Sequence, residues 1–131
     1  MADHPNAQIA RTAMDAFSKG DLESFAAALD EGVVWHAPGD NRWAGERRGK
    51  GETLERFRQQ GEAGVRITFD DIHDVLGSDD HAVALLTIRF TDGDRTETSP
   101  SIFVMHLRDG KLVEFWATNE RQAEIDALLG S

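Results

Sequence analysis

Ala82-Val83-Ala84-Leu85-Leu86-Thr87-Ile88-Arg89-Phe90-Thr91, followed by the turn Thr91-Asp92-Gly93-Asp94 and the return stretch Thr96–Leu107, decides the fold. Residues two apart share a face of a strand. On that period Val83 and Leu85 are apolar on one face, and Ala84, Leu86, Ile88 and Phe90 on the other. Both faces therefore need cover. Asp-Gly between two such runs is hairpin chemistry, because glycine accepts positive φ at no steric cost. The pattern repeats downstream: Arg108-Asp109-Gly110-Lys111 reads as a second turn and Leu112–Asn119 as a further strand. Upstream, Val65, Ile67 and Phe69 alternate with Arg66, Thr68 and Asp70, a half-buried strand.

Before residue 65 the period changes. Ile9, Ala13, Met14 and Phe17 recur at helical spacing, and Gly20 supplies a stop. Asp21 is placed to cap a second helix carrying Leu22, Phe25, Ala26 and Leu29. A short strand over Val33–Ala37 ends at Pro38-Gly39, and Asp40–Gly51 reads as a polar loop. Leu54 and Phe57 mark a third helix, and Glu120–Leu129 a last one. Helices thus precede a meander of strands. That order predicts an α+β domain with a mainly antiparallel sheet, one domain over residues 1–131. Three helices cover one sheet face; the other face predicts a homodimer through the sheet.

Composition narrows the function classes. A formal charge of −10 works against nucleic-acid binding. No apolar run approaches the ~20 residues of a membrane span, and Met-Ala-Asp-His-Pro lacks the features of a secretory signal. The expected location is the cytoplasm. The chain has no cysteine, so it offers no thiol nucleophile or thiolate metal site. The histidines show no metal-ligand spacing, and no metal or other cofactor is expected. Arg42, Arg47, Arg48, Lys50, Arg56 and Arg58 are interleaved with Asp40, Glu46, Glu52 and Glu55, which reads as a solvated mixed-charge surface.

Several segments carry a family likeness. Ala16-Phe17-Ser18-Lys19-Gly20-Asp21-Leu22, Val33-Val34-Trp35-His36-Ala37-Pro38-Gly39, Ala44-Gly45-Glu46-Arg47-Arg48-Gly49-Lys50-Gly51 and Arg108-Asp109-Gly110-Lys111-Leu112-Val113-Glu114-Phe115-Trp116 together resemble the nuclear-transport-factor-2-like superfamily, and within it bacterial SnoaL-like proteins. The resemblance implies a cystatin-like cone, a curved sheet wrapped around N-terminal helices, with a pocket for a small hydrophobic molecule. It also implies candidate chemistry, since such proteins include ketosteroid isomerases, limonene-type epoxide hydrolases and polyketide cyclases.

Matched motif to motif, the isomerase base falls at Ala37 or its neighbour His36, the tyrosine near Ala13, and the oxyanion-binding acid at Phe103. The chain contains no tyrosine. The epoxide-hydrolase Arg and Asp residues fall near Leu86, Ile88 and Ala117, all apolar. Both mechanisms lack their carboxylates. An apolar wall remains, of Phe17, Leu86, Ile88, Phe103, Met105, Phe115 and Ala117, with Trp35 and Trp43 as an aromatic rim. His36 is the candidate acid–base residue and Asn119 its candidate partner in orienting a substrate. Non-catalytic ligand binding and a protein-interaction module are the competing readings.

Overall fold

The computed structural model describes residues 4–131. Residues 1–3, part of the stretch read above for a secretory signal, lie outside it. Ten elements follow in the order α1 (Pro5–Ser18), α2 (Leu22–Ala27), β1 (Leu29–Ala37), β2 (Gly45–Arg48), α3 (Lys50–Glu62), β3 (Val65–Gly77), β4 (His81–Asp92), β5 (Arg95–Arg108), β6 (Lys111–Asn119) and α4 (Gln122–Leu129). The strands form one six-stranded sheet in the order β2-β1-β6-β5-β4-β3. Only the β1–β6 pairing is parallel; the others are antiparallel.

The hairpins follow the turn chemistry. Asp109 and Gly110 both hold positive φ, at 53° and 78°, the geometry that matches the twist of the flanking strands. β4 buries Ala82, Ala84, Leu86, Ile88 and Phe90 and leaves Val83 and Leu85 half-buried, so its two faces separate as the alternation predicts. Helix α2 is capped by Asp21, whose Oδ1 accepts from the Ser24 N–H at 3.1 Å.

Helix α1 is started by His4, whose Nδ1 accepts from the Asn6 N–H at 3.0 Å, with Pro5 at the first helical position. It buries small residues, Ala7, Ala10 and Ala13, together with Met14. The alanines let the helix lie close to β3. At Gly77 an added Cβ would stand 2.8 Å from the Ala7 nitrogen.

Three expectations are corrected. Leu29 ends no helix but opens β1, where it pairs with Leu112. The expected strand over residues 65–69 runs on to Gly77, because β4 offers it a ladder as far as Ala82. The polar loop over residues 40–51 contains an edge strand, β2, which pairs Trp35 with Arg47 and His36 with Glu46. Its sequence, Gly-Glu-Arg-Arg, lacks apolar alternation, so backbone pairing with β1 sets its conformation rather than its own pattern.

Candidate functional site

The alternation of β1 divides its side chains between two faces. Trp35 and Ala37 point to the interior, where they meet Phe115 and Ala117 of β6 and Phe103 of β5 around a partly open space of about 80 Å³. Phe17 of α1, Phe57 of α3, Phe69 of β3 and Ile88 of β4 complete much of the wall, and Gln122, Ile125 and Leu129 of α4 close one end.

Six of the rings form a closed circuit. Phe17 stacks on Phe69 with centroids 5.4 Å apart, and Phe69 meets Phe103 edge-on at 5.4 Å. Phe103 meets Phe115 at 4.8 Å, and Phe115 lies flat on Trp35 at 3.8 Å. Trp35 meets Phe57 at 5.3 Å, and Phe57 returns to Phe17 at 4.9 Å. Phe25 packs behind this circuit, touching Phe17, Trp35 and Phe57. Edge-to-face and stacked pairs each add about 0.5–1.5 kcal/mol beyond burial, so the rings stabilise one another as well as forming an apolar wall.

The expected pocket residues divide. Phe17, Trp35, Trp43, Ile88, Phe103, Phe115, Ala117 and Asn119 line the cavity. Met105 does not; it borders a separate space of about 20 Å³ beneath α1 and α2. Leu86 faces inward at 4% exposure but is packed rather than open to the cavity. The cavity itself lies under α3, the β1–β2 loop and α4, not between the sheet and the first two helices.

His36 is not in the cavity wall. With Trp35 pointing inward, period two sends His36 to the opposite sheet face. There its Nε2 lies 2.6 Å from Glu114 Oε2 and its Nδ1 3.7 Å from Glu46 Oε1. Its ring stacks on Trp116 at 5.5 Å. The structure therefore does not bring His36 and Asn119 together.

Asn119 is 8% exposed and hydrogen-bonded through both its amide oxygen and its amide nitrogen. Its Oδ1 accepts from Ser101 Oγ at 2.5 Å, and its Nδ2 donates to Gln122 Oε1 at 2.8 Å. Gln122 Nε2 donates to Asp126 Oδ1 at 2.9 Å, and Asn41 Nδ2 donates to the same oxygen at 2.8 Å. Asn41 Oδ1 in turn accepts from the Trp43 N–H at 2.9 Å. This chain ties β5, β6, α4 and the β1–β2 loop together at one end of the cavity. Burial opposes ionisation of Asp126, but the hydrogen bonds from Asn41, Gln122 and the Asp40 backbone outweigh it and hold the carboxyl below its usual range.

Sequence reasoning missed several wall residues, among them Phe57, Phe69, Gln60 and Gln122, and Arg47 is the charged one. It was assigned to a solvated surface, yet it is 3% exposed. Opposite Trp35 in the β1–β2 ladder, it shares that residue's inward face, while Glu46 and Arg48 on either side of it are exposed. The signal was available only after Gly45–Arg48 is recognised as a strand.

A curled, mainly antiparallel sheet with helices closing an aromatic interior defines a protein of the cystatin-like, nuclear-transport-factor-2-like fold. The chain belongs to the SnoaL-like family, whose domain model matches residues 10–115. Among solved structures it is similar to a protein of unknown function with a cystatin-like fold from Xanthomonas campestris, at 22% identity and a TM-score of 0.88, covering 96% of this chain and 98% of that one. An NTF2-like protein of unknown function from Burkholderia pseudomallei shares 27% identity, with a TM-score of 0.80 and coverage of 98% and 99%. TerC, co-crystallised with polyporic acid, shares 18% identity, with a TM-score of 0.79 and coverage of 98% and 100%. No curated protein sequence matches the chain.

Proposed function

We propose that this SnoaL-like protein receives a compact hydrophobic molecule in its aromatic cavity, as a binding protein rather than an acid–base catalyst. The carrying observation is the circuit of six rings around space they do not fill. Such a wall forgoes dispersion contacts that a ligand restores. Its polar members are Asn41, Arg47, Gln60, Asn119 and Gln122; among the described residues no carboxylate, histidine, lysine or hydroxyl lines it. Proton abstraction inside the cavity therefore lacks a base. At about 80 Å³ the space is roughly half the ~150 Å³ that accommodates benzene in an engineered cavity. A larger ligand has to turn side chains or extend past the half-buried Pro38 and Asn41.

The test is ligand-observed NMR with a library of small aromatic and alicyclic molecules, repeated on Ala117→Phe, which fills the cavity. Hits on the wild type that vanish in a folded Ala117→Phe support the reading; hits that persist overturn it. A second reading keeps His36 as an acid–base residue, favoured by its 2.6 Å contact with Glu114. It requires a substrate on the outer sheet face. His36→Ala should leave cavity binding unchanged under the first reading and abolish turnover under the second.

We also infer a homodimer through that outer face, where Ile102 is 45% and Trp116 37% exposed. Ile102→Glu should shift the sedimentation of the protein to that of a monomer; an unchanged sedimentation coefficient contradicts the dimer. A cysteine-free chain of this kind suits the reducing cytoplasm.

A further inference from the structure

We propose that the ligand of this cavity carries a carboxylate or equivalent oxyanion, held by Arg47 and Trp43 while its apolar frame lies among the rings. This rests on reading the cavity as a ligand site and adds the chemical class of the ligand.

Two buried donors, on wall residues Arg47 and Trp43, lack acceptors. Arg47 Nη2 donates to the Trp43 carbonyl at 2.5 Å, but Arg47 Nη1 and Trp43 Nε1 are both buried with no hydrogen-bond partner among the described residues. An unmade hydrogen bond at a buried donor forfeits its full hydration, which native proteins rarely tolerate without a purpose. The Arg47 guanidinium centre lies 5.2 Å from the Phe57 ring. A π-face and one carbonyl compensate a buried cation only in part.

The surroundings add more positive charge than they cancel, since repulsion from Arg56 exceeds the attraction of Glu52. The guanidinium centres of Arg42 and Arg56 lie 4.8 and 5.1 Å from the Trp43 ring. Neither they nor Arg47 joins an ion pair among the described residues. Arg48, Arg58, Arg89 and Arg121 each pair with a carboxylate. Arg11, Arg66, Arg95 and Arg108 join no ion pair among the described residues, so what distinguishes Arg47 is its burial. Three guanidinium groups without ion pairs thus gather around Trp43, Arg47 in the wall and Arg42 and Arg56 outside it, in a protein whose formal charge is −10.

Burial lowers the Arg47 pKa to about 10, with repulsion from Arg56 in the same direction and Glu52 opposing. The group is still cationic at neutral pH. A guanidinium fork matches a carboxylate, and a desolvated wall strengthens the pairing. A neutral apolar ligand would leave both donors unmade, so the site discriminates by charge as well as by shape.

The experiment is calorimetric titration at pH 7 with carboxylates from propionate to benzoate, each beside its neutral alcohol. Wild type, Arg47→Met, Arg47→Lys and Trp43→Phe are compared, with melting temperatures taken alongside. At least one carboxylate should bind the wild type ~10-fold or more tighter than its alcohol, and Arg47→Met should weaken it ~10–100-fold. The alcohol should change by no more than about 2-fold. Trp43→Phe keeps the ring and removes the N–H, and should weaken only the carboxylate. Arg47→Lys keeps the charge without the fork and should fall between wild type and Arg47→Met. Ligand-free Arg47→Met should melt no lower than wild type, since it removes an unpaired buried charge. Should Arg47→Met not fold, Arg47→Lys and Trp43→Phe decide.

Equal affinity for carboxylate and alcohol in the wild type overturns the charge assignment and spares the cavity. Carboxylate binding indifferent to the Arg47 and Trp43 variants does the same. If neither class binds, the reading of the cavity as a ligand site falls, and this inference with it.

Discussion

Phe115→Ala perturbs the circuit where it is tightest. Phe115 is 4% exposed, lies flat on Trp35 at 3.8 Å and meets Phe103 at 4.8 Å. Truncating a buried phenylalanine costs about 3–5 kcal/mol in a filled core. Two aromatic pairs of about 0.5–1.5 kcal/mol each would push the value up. One side of the ring already borders the 80 Å³ space, however, so fewer contacts are there to lose, which brings the expected loss to about 3 kcal/mol. A domain with a typical stability of about 5–15 kcal/mol remains folded after such a loss. For a chain of this length the melting temperature should fall by roughly 10 °C. Deleting the ring also joins a benzene-shaped volume to the existing space and takes it past the ~150 Å³ that benzene occupies elsewhere. Thermal unfolding with and without benzene is therefore the assay. We expect the variant, and not the wild type, to regain several degrees with benzene. A loss below about 1 kcal/mol, or no recovery with benzene, would refute the description of the wall as an aromatic circuit around open space.

Two further predictions concern the end of the cavity closed by α4. The folded-state pKa of Asp126 lies below its ordinary value, so its contribution to stability is present above the unfolded carboxylate pKa and is lost as pH falls through the folded one. Urea midpoints of wild type and Asp126→Asn should therefore differ at pH 7 and converge in acid; a difference that stays constant or grows in acid contradicts the assignment. Gly39 holds φ at +103°, and a Cβ there would stand 2.3 Å from Asp126 Oδ1 and from Gln122 Nε2. Gly39→Ala should cost about 1–3 kcal/mol and raise amide exchange across α4, whereas unchanged exchange would show that the latch tolerates the methyl group.

Where a residue's own chemistry determines its conformation, the sequence was legible. The Asp109-Gly110 turn, the alternation of β4 and the Asp21 cap act locally, and each is found as read. The β4–β5 hairpin turns one residue later than Asp92-Gly93, at Gly93-Asp94. The wall at Phe17, Trp35, Ile88, Phe103, Phe115 and Ala117 follows from strand alternation and one helical stripe. The misreadings arise where a partner strand decides. β2 forms because β1 presents an open edge, and only that ladder carries Arg47 inward. His36 beside Trp35 on the same strand has to take the other face, so placing one in the cavity excludes the other. Asn119 reaches the cavity as expected, but its amide is taken up by Ser101 and Gln122, contacts between elements that no local pattern encodes.

The central claim, that the aromatic cavity is a ligand site, is tested most directly by ¹H–¹⁵N spectra of the indole groups during titration with propionate, which is small enough for the space of about 80 Å³. The chain has three tryptophans: Trp35 and Trp43 in the cavity wall, and Trp116 on the outer face. The account predicts that the Trp43 Nε1–H resonance moves downfield in a saturable way while that of Trp116 stays still. A titration that leaves Trp43 unmoved, or moves Trp116 alone, contradicts it.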